Sequence, residues 1–150
     1  MKKVFALFLA CIMLFGITAC GKPADSTEPA SGTQEPAASQ NYKIAIYTNT
    51  VSQNEEEFRS AENAQKKYGK DKIVIQTLPD NFMKEQETVI ANGLSLISDP
   101  EVKALIMNQA VPGAAAMFER IKEQRPDVLL IAITPAETDI IDTKADIALQ

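Results

Sequence analysis

The residues of this sequence best suited to chemistry are neutral and polar, and they recur where apolar runs end. Thr48, Asn49 and Thr50 follow KIAIY, Asn108 and Gln109 follow VKALIM, and Thr134 and Glu137 close and follow VLLIAI. Asn and Gln amides both donate and accept hydrogen bonds, and hydroxyls do either. Such a set suits an uncharged, polyfunctional small solute: a sugar, a nucleoside or a polar heteroaromatic. Helix N-termini following the first and third runs can add backbone N–H groups, which would also hold a carboxylate. Asn49 and Asn108 also suit the backbone of turns, and Ser52 suits a helix cap. Tyr47 and Phe82 offer stacking faces, although Tyr47 fits core packing better.

Catalytic alternatives have less to work with. The sequence contains no His, which removes the commonest general base and metal ligand. It has no G-x-G-x-x-G, G-x-x-x-x-G-K-[ST] or G-x-S-x-G pattern and no His/Cys cluster. Acid–base work would fall to Asp80, Glu137 or Asp139, and no sequence pattern marks any of them as activated. These read as solvated loop carboxylates or helix caps. Binding without a metal or cofactor is therefore expected, and no enzyme activity.

The elements that must position these residues alternate. Lys43–Thr48 reads as a strand rich in β-branched and aromatic residues. Ser52 and Glu55 form an S-x-x-E capping box, so a helix is expected from about Gln53, with Phe58, Ala61, the stem of Gln65 and Tyr68 inward and Gly69 as its stop. Lys72–Leu78 is a second strand. Asp80 or Asn81 would cap a second helix carrying Phe82, Val89, Ile90, Gly93, Leu94 and Ile97 on one stripe. Val102–Met107 is a third strand, and Pro112 suits the first turn of a third helix. Val128–Thr134, apolar on both faces, belongs inside a covered sheet, and Ala145–Leu149 is a candidate fifth strand. Short strand–helix repeats imply a doubly wound, mainly parallel α/β sheet, with expected order 2-1-3-4-5. Its switch point lies between strands 1 and 3, and ligands in such sheets sit beyond the strand carboxyl ends at that switch.

The front of the chain reads differently. Lys2 and Lys3 precede an apolar stretch, Val4–Ile17, of signal-peptide length. Ile17-Thr18-Ala19-Cys20 resembles a bacterial lipobox, which makes 1–19 a leader and Cys20 the lipid-bearing N-terminus, anchored by its acyl chains to the extracytoplasmic face of the cell membrane. Residues 20–41 lack large apolar side chains and read as a disordered tether, with a root-mean-square span of roughly 25 Å. No Cys follows Cys20, so no disulfide framework is expected. The formal charge is −5; removing Lys2 and Lys3 with residues 1–19 takes it to −7. An acidic chain of this kind is a poor nucleic-acid partner.

The segments YKIAIYTNTVSQNEEEFRSAENAQKKYG, IVIQTLPDNF and VKALIMNQAVPGAAAMFERIKEQRPDVLLIAIT, behind a lipobox and tether, resemble the N-terminal lobe of type I periplasmic-binding-protein-like lipoproteins. Within these they are most similar to an uncharacterised group from anaerobic, largely Gram-positive bacteria, with ribose-type and basic-membrane-protein nucleoside receptors as distant relatives. The resemblance implies an N-terminal flavodoxin-like lobe over residues 42–150, expected to be incomplete and to lack the second lobe that relatives carry, and capture of a small polar solute for an ABC permease or a sensor protein. Sugar-binding relatives carry Asp or Arg in the turns after strands 1 and 3; here neither turn does, so a sugar is not implied. Two alternatives stand beside the receptor: a surface-anchored enzyme on the same kind of sheet, and a sensory or structural lipoprotein that binds another protein.

Overall fold

The apolar runs assemble side by side, all pointing the same way. The computed structural model describes residues 41–140 and 144–150. The expected leader, Cys20 and all but the last residue of the expected tether lie outside the described residues. The elements are β1 (Lys43–Thr48), α1 (Glu55–Tyr68), β2 (Ile73–Thr77), α2 (Gln86–Leu96), β3 (Val102–Met107), α3 (Ala114–Gln124), β4 (Leu129–Ile133) and β5 (Ile147–Leu149). They form one five-stranded sheet in the order β2-β1-β3-β4-β5. Every neighbouring pair is parallel: Ile46 sits beside Ile75 on one side and Ile106 on the other, and Ile131 lies between Ile106 and Ile147. The fold is thus the doubly wound α/β arrangement expected from the sequence.

Alternation along each strand divides the side chains between two layers. Ala45, Tyr47, Leu105, Met107, Leu130 and Ala132 pack against α2 and α3 in the main core, where Val89, Met117, Phe118 and Ile121 are fully enclosed. Gly93 lets these helices approach closely, because a Cβ there would overlap the Met117 sulfur. Ile46 and Ile73 face the other way and form a smaller core with Ala61 of α1.

That second layer reaches only part of the sheet. Leu130 and Ala132 are buried, but Leu129 is 41% exposed and Ile147 and Leu149 are 42% and 51% exposed. The expectation that β4 is covered on both faces therefore needs correcting. Among the described residues α1 is the only helix packed on its side, and it lies over β1 and β2.

Three helix starts also differ from expectation. Residues 50–54 form a turn, with the Gln53 and Asn54 N–H groups both donating to the Thr50 carbonyl. α1 therefore starts after Asn54, whose side chain accepts from the Glu57 N–H. Asn caps at least as well as Ser, and this start places Glu55, Glu56 and Glu57 together in the first turn, where the helix dipole favours them. Residues 79–85 likewise turn before α2: Lys84 and Glu85 both donate to the Asn81 carbonyl, leaving Phe82 in the turn. α3 begins two residues beyond Pro112, after Gly113 at φ 95°, a conformation open to glycine. At the other end of α1, Gly69 at φ 99° closes the helix as expected. Tyr68, expected inward, is 57% exposed and lies beneath the Lys67 ammonium.

Candidate functional site

Parallel pairing carries two distant turns to one edge. The Asn108 N–H donates to the Tyr47 carbonyl at 2.9 Å, and the Leu78 N–H donates to the Thr48 carbonyl at 2.8 Å. The turn after β1 therefore sits between those after β2 and β3. On this rim the Asn108 amide donates to Thr48 Oγ1 at 3.2 Å. The Asn49 Nδ2 makes two bonds of 2.7 Å, one to Glu57 Oε2 of α1 and one to Gln109 Oε1 beyond β3. A single amide nitrogen thus joins both sides of the switch point.

Asn49 is only 2% exposed, and its carbonyl oxygen, Oδ1, is buried without a hydrogen-bond partner. Rotating the amide would not repair this. It would set the carbonyl against the Glu57 and Gln109 oxygens, and a carboxylate can only accept. A buried acceptor left unpaired costs about 1–3 kcal/mol, which makes Oδ1 the clearest local demand for an external donor.

The remaining expected residues divide by location. Thr50 borders the cluster but turns toward the loop after β2: its N–H donates to Gln53 Oε1 at 2.9 Å and its hydroxyl pairs with Ser52 Oγ at 2.8 Å. Gln53 completes that link through its Nε2, which donates to the Pro79 and Asp80 carbonyls, both at 3.1 Å. Thr134 lies one strand further along and is exposed. It is held at φ 44° while its N–H donates to the Leu149 carbonyl at 2.7 Å.

Glu137 is engaged elsewhere. Its Oε2 accepts from the Ala115 N–H at 3.0 Å and caps α3, whose own N-cap residue, Gly113, has no side chain to do so. Asn54 does the same for one N–H of α1, while α2 has no side-chain cap.

Glu57 and Gln53 were not among the expected site residues. Glu57 reads locally as one acid of a helix first turn, and Gln53 as that helix's first residue. The pattern N-x-x-E over Asn54–Glu57 was the available sign that the start lies later and that Glu57 faces back toward β1. An apolar hollow of about 480 Å³ lies elsewhere, between α1 and the sheet, lined in part by Tyr42, Ile44, Tyr68 and Ile106.

Comparison with known proteins adds family and fold. An uncharacterized protein of Treponema pallidum (strain Nichols) is 26% identical over 158 residues, covering 99% of this chain and 69% of that protein. A second uncharacterized protein of the same organism is 44% identical over 57 residues, covering 37% of this chain and 26% of the other. A crystal structure from Clostridium difficile 630, described as a "Putative transcriptional regulator", superposes with a TM-score of 0.64 at 24% identity. It covers 71% of this chain, which in turn spans only 33% of that one, and the likeness is one of fold. The family model described as "Protein of unknown function (DUF3798)" matches residues 42–150, which include every described element of the sheet, and the chain belongs to that family.

Proposed function

We propose that this chain is the rim-bearing lobe of an extracytoplasmic solute-binding protein, held to the membrane by lipid at Cys20. It would pass a small polar solute to an ABC permease or to a sensor. The observation that carries this proposal is the Asn49 amide: buried at the switch point, anchored through its nitrogen, and left with an unpaired carbonyl. Doubly wound sheets bind ligands at that position. The surrounding groups are hydrogen-bonding side chains rather than a nucleophile with its base. Nucleic acid is not proposed as a ligand, given the net charge of −5.

Thermal-shift screening of the protein against metabolites, followed by calorimetry, tests the proposal. Saturable stabilisation without turnover is expected, and it should be lost in Asn49→Ala and weakened in Asn108→Ala. Binding unchanged in both variants would reject the rim. Turnover of a bound compound would instead identify an enzyme.

A further inference from the structure

We propose that the rim selects a solute bearing a positively charged nitrogen, such as an ammonium, amidinium or guanidinium group. This inference rests on the solute-binding function proposed above and narrows its ligand class. What the buried carbonyl of Asn49 lacks is a donor, not an acceptor. Beside it, Glu57 Oε2 already receives the Asn49 N–H. A carboxylate has about four lone-pair sites, so Glu57 retains capacity for a further donor. An ammonium or a planar N–H fork satisfies both oxygens at once and brings the charge that a carboxylate prefers.

The surrounding charge favours the same class. The turns after β1 and β2, residues 49–57 and 78–85, carry Glu55, Glu56, Glu57, Asp80 and Glu85 against Lys84 and, one turn into α1, Arg59, which pairs with Glu55. The turn after β3, residues 108–113, carries no charge. The basic residues Lys43, Lys103 and Arg125 lie at the opposite end, at or just before the starts of β1, β3 and β4. One first-turn N–H of α1 and one of α3 already have side-chain acceptors, in Asn54 and Glu137. An anionic solute would enter a field of its own sign. Asn49 Oδ1 is enclosed, so a solute must displace neighbouring atoms to reach it. Gln109, half-buried and accepting from the same amide, is one neighbour that can give way, and Asn49 Nδ2 then keeps its bond to Glu57 Oε2.

The test uses matched probes: butane-1,4-diamine, butane-1,4-diol and succinate, and benzamidine, benzamide and benzoate. Each is titrated into the full chain by calorimetry and ligand-observed NMR. The cations should bind at least about tenfold more tightly than their neutral partners, with affinity falling as salt is added, and the anions should not bind. Glu57→Gln keeps the shape and can still accept from Asn49. It should weaken the cations by roughly 10- to 100-fold while its melting curve shows a folded protein. Neutral or anionic probes that bind as well as the cations, and are lost in Asn49→Ala, would overturn the charge preference while leaving the rim intact. Cation binding insensitive to both Glu57→Gln and Asn49→Ala would place the site elsewhere and overturn the rim as well. No binding by either cation at millimolar concentration would overturn the inference.

Discussion

Asn49 has a structural role apart from any ligand. Its Nδ2 bridges α1 and the turn after β3 through two 2.7 Å bonds. Asn49→Ala removes both bonds together with the unpaired carbonyl, so the loss is partly offset. A destabilisation of about 1 kcal/mol is expected in urea unfolding, small enough for binding to be measured on a folded variant. Thr134 should behave oppositely. Its φ of 44° is the left-handed region, where a β-branched residue is strained. Thr134→Gly relieves strain of order 1–3 kcal/mol against an unfolded-state entropy penalty of about 0.5–1 kcal/mol. The expected net gain is about 1 kcal/mol, visible as a higher urea midpoint; a loss would show that the Thr side chain contributes more than its backbone costs. The residue types at the rim were legible because strand ends can be read from apolar runs. Their partners were not. Asn49 meets Gln109 across 60 positions and Glu137 meets the Ala115 N–H across 22, and no local pattern encodes such pairs.

Strands were more legible than helix starts for a physical reason. A run such as KIAIYT or VKALIM has few ways to be buried except as a strand, whereas a helix start is a competition among caps. Ser52-x-x-Glu55 and Asn54-x-x-Glu57 were both available, and the turn closed by the Thr50 carbonyl decided for the second. Arg125 shows how much a local pattern can conceal. Before Pro126 it reads as a helix end, yet its guanidinium donates to the Ile97 carbonyl at 2.8 Å, the Val102 carbonyl at 3.0 Å and Asp127 Oδ1 at 2.8 Å. It binds the carbonyls of the α2–β3 connection to the β4 entry, a planar fork holding several acceptors at once. Arg125→Lys keeps the charge but cannot span them. It should cost about 1–2 kcal/mol and speed hydrogen exchange at the start of β3 relative to α1. Equal protection in both places would mean that the connection is held by its own turn.

Across the whole molecule, order and polarity were legible because short connections between uninterrupted apolar runs leave few topologies open. The uncovered side of β4 was not, because an apolar strand looks the same whether one face or both are covered. Charge is arranged along the same strand axis, with an excess of acids at the carboxyl-end rim, where Glu55 pairs with Arg59, and further ion pairs at the opposite end. There the Lys43 ammonium holds Asp99 below the usual carboxylate range, and Arg125 followed by Lys103 does the same for Asp127. Burial pulls Asp146 up, but the Leu130 N–H and the Lys122 ammonium together outweigh it and leave its carboxyl lowered. A carboxyl lowered in the folded state stabilises it above the unfolded value, near 4, and that contribution disappears as pH falls through the folded value. Groups raised in the folded state act at the other limit. The Lys43 ammonium is raised by Asp99 and Glu101, and burial pushes the Tyr47 phenol up to about 12 against a smaller opposite pull from Asn92. Their contributions are complete below about pH 10 and are lost as pH rises through the folded values. Melting temperature should therefore change little between about pH 5 and 9 and fall on both sides. Because the acid-side pairs are partly solvated, that fall should shrink in 1 M salt. Asp99→Asn with Asp127→Asn should lower the neutral plateau and flatten the acid limb, leaving the alkaline limb in place through Tyr47. An acid limb unchanged in the double variant would mean that carboxylates elsewhere govern acid unfolding.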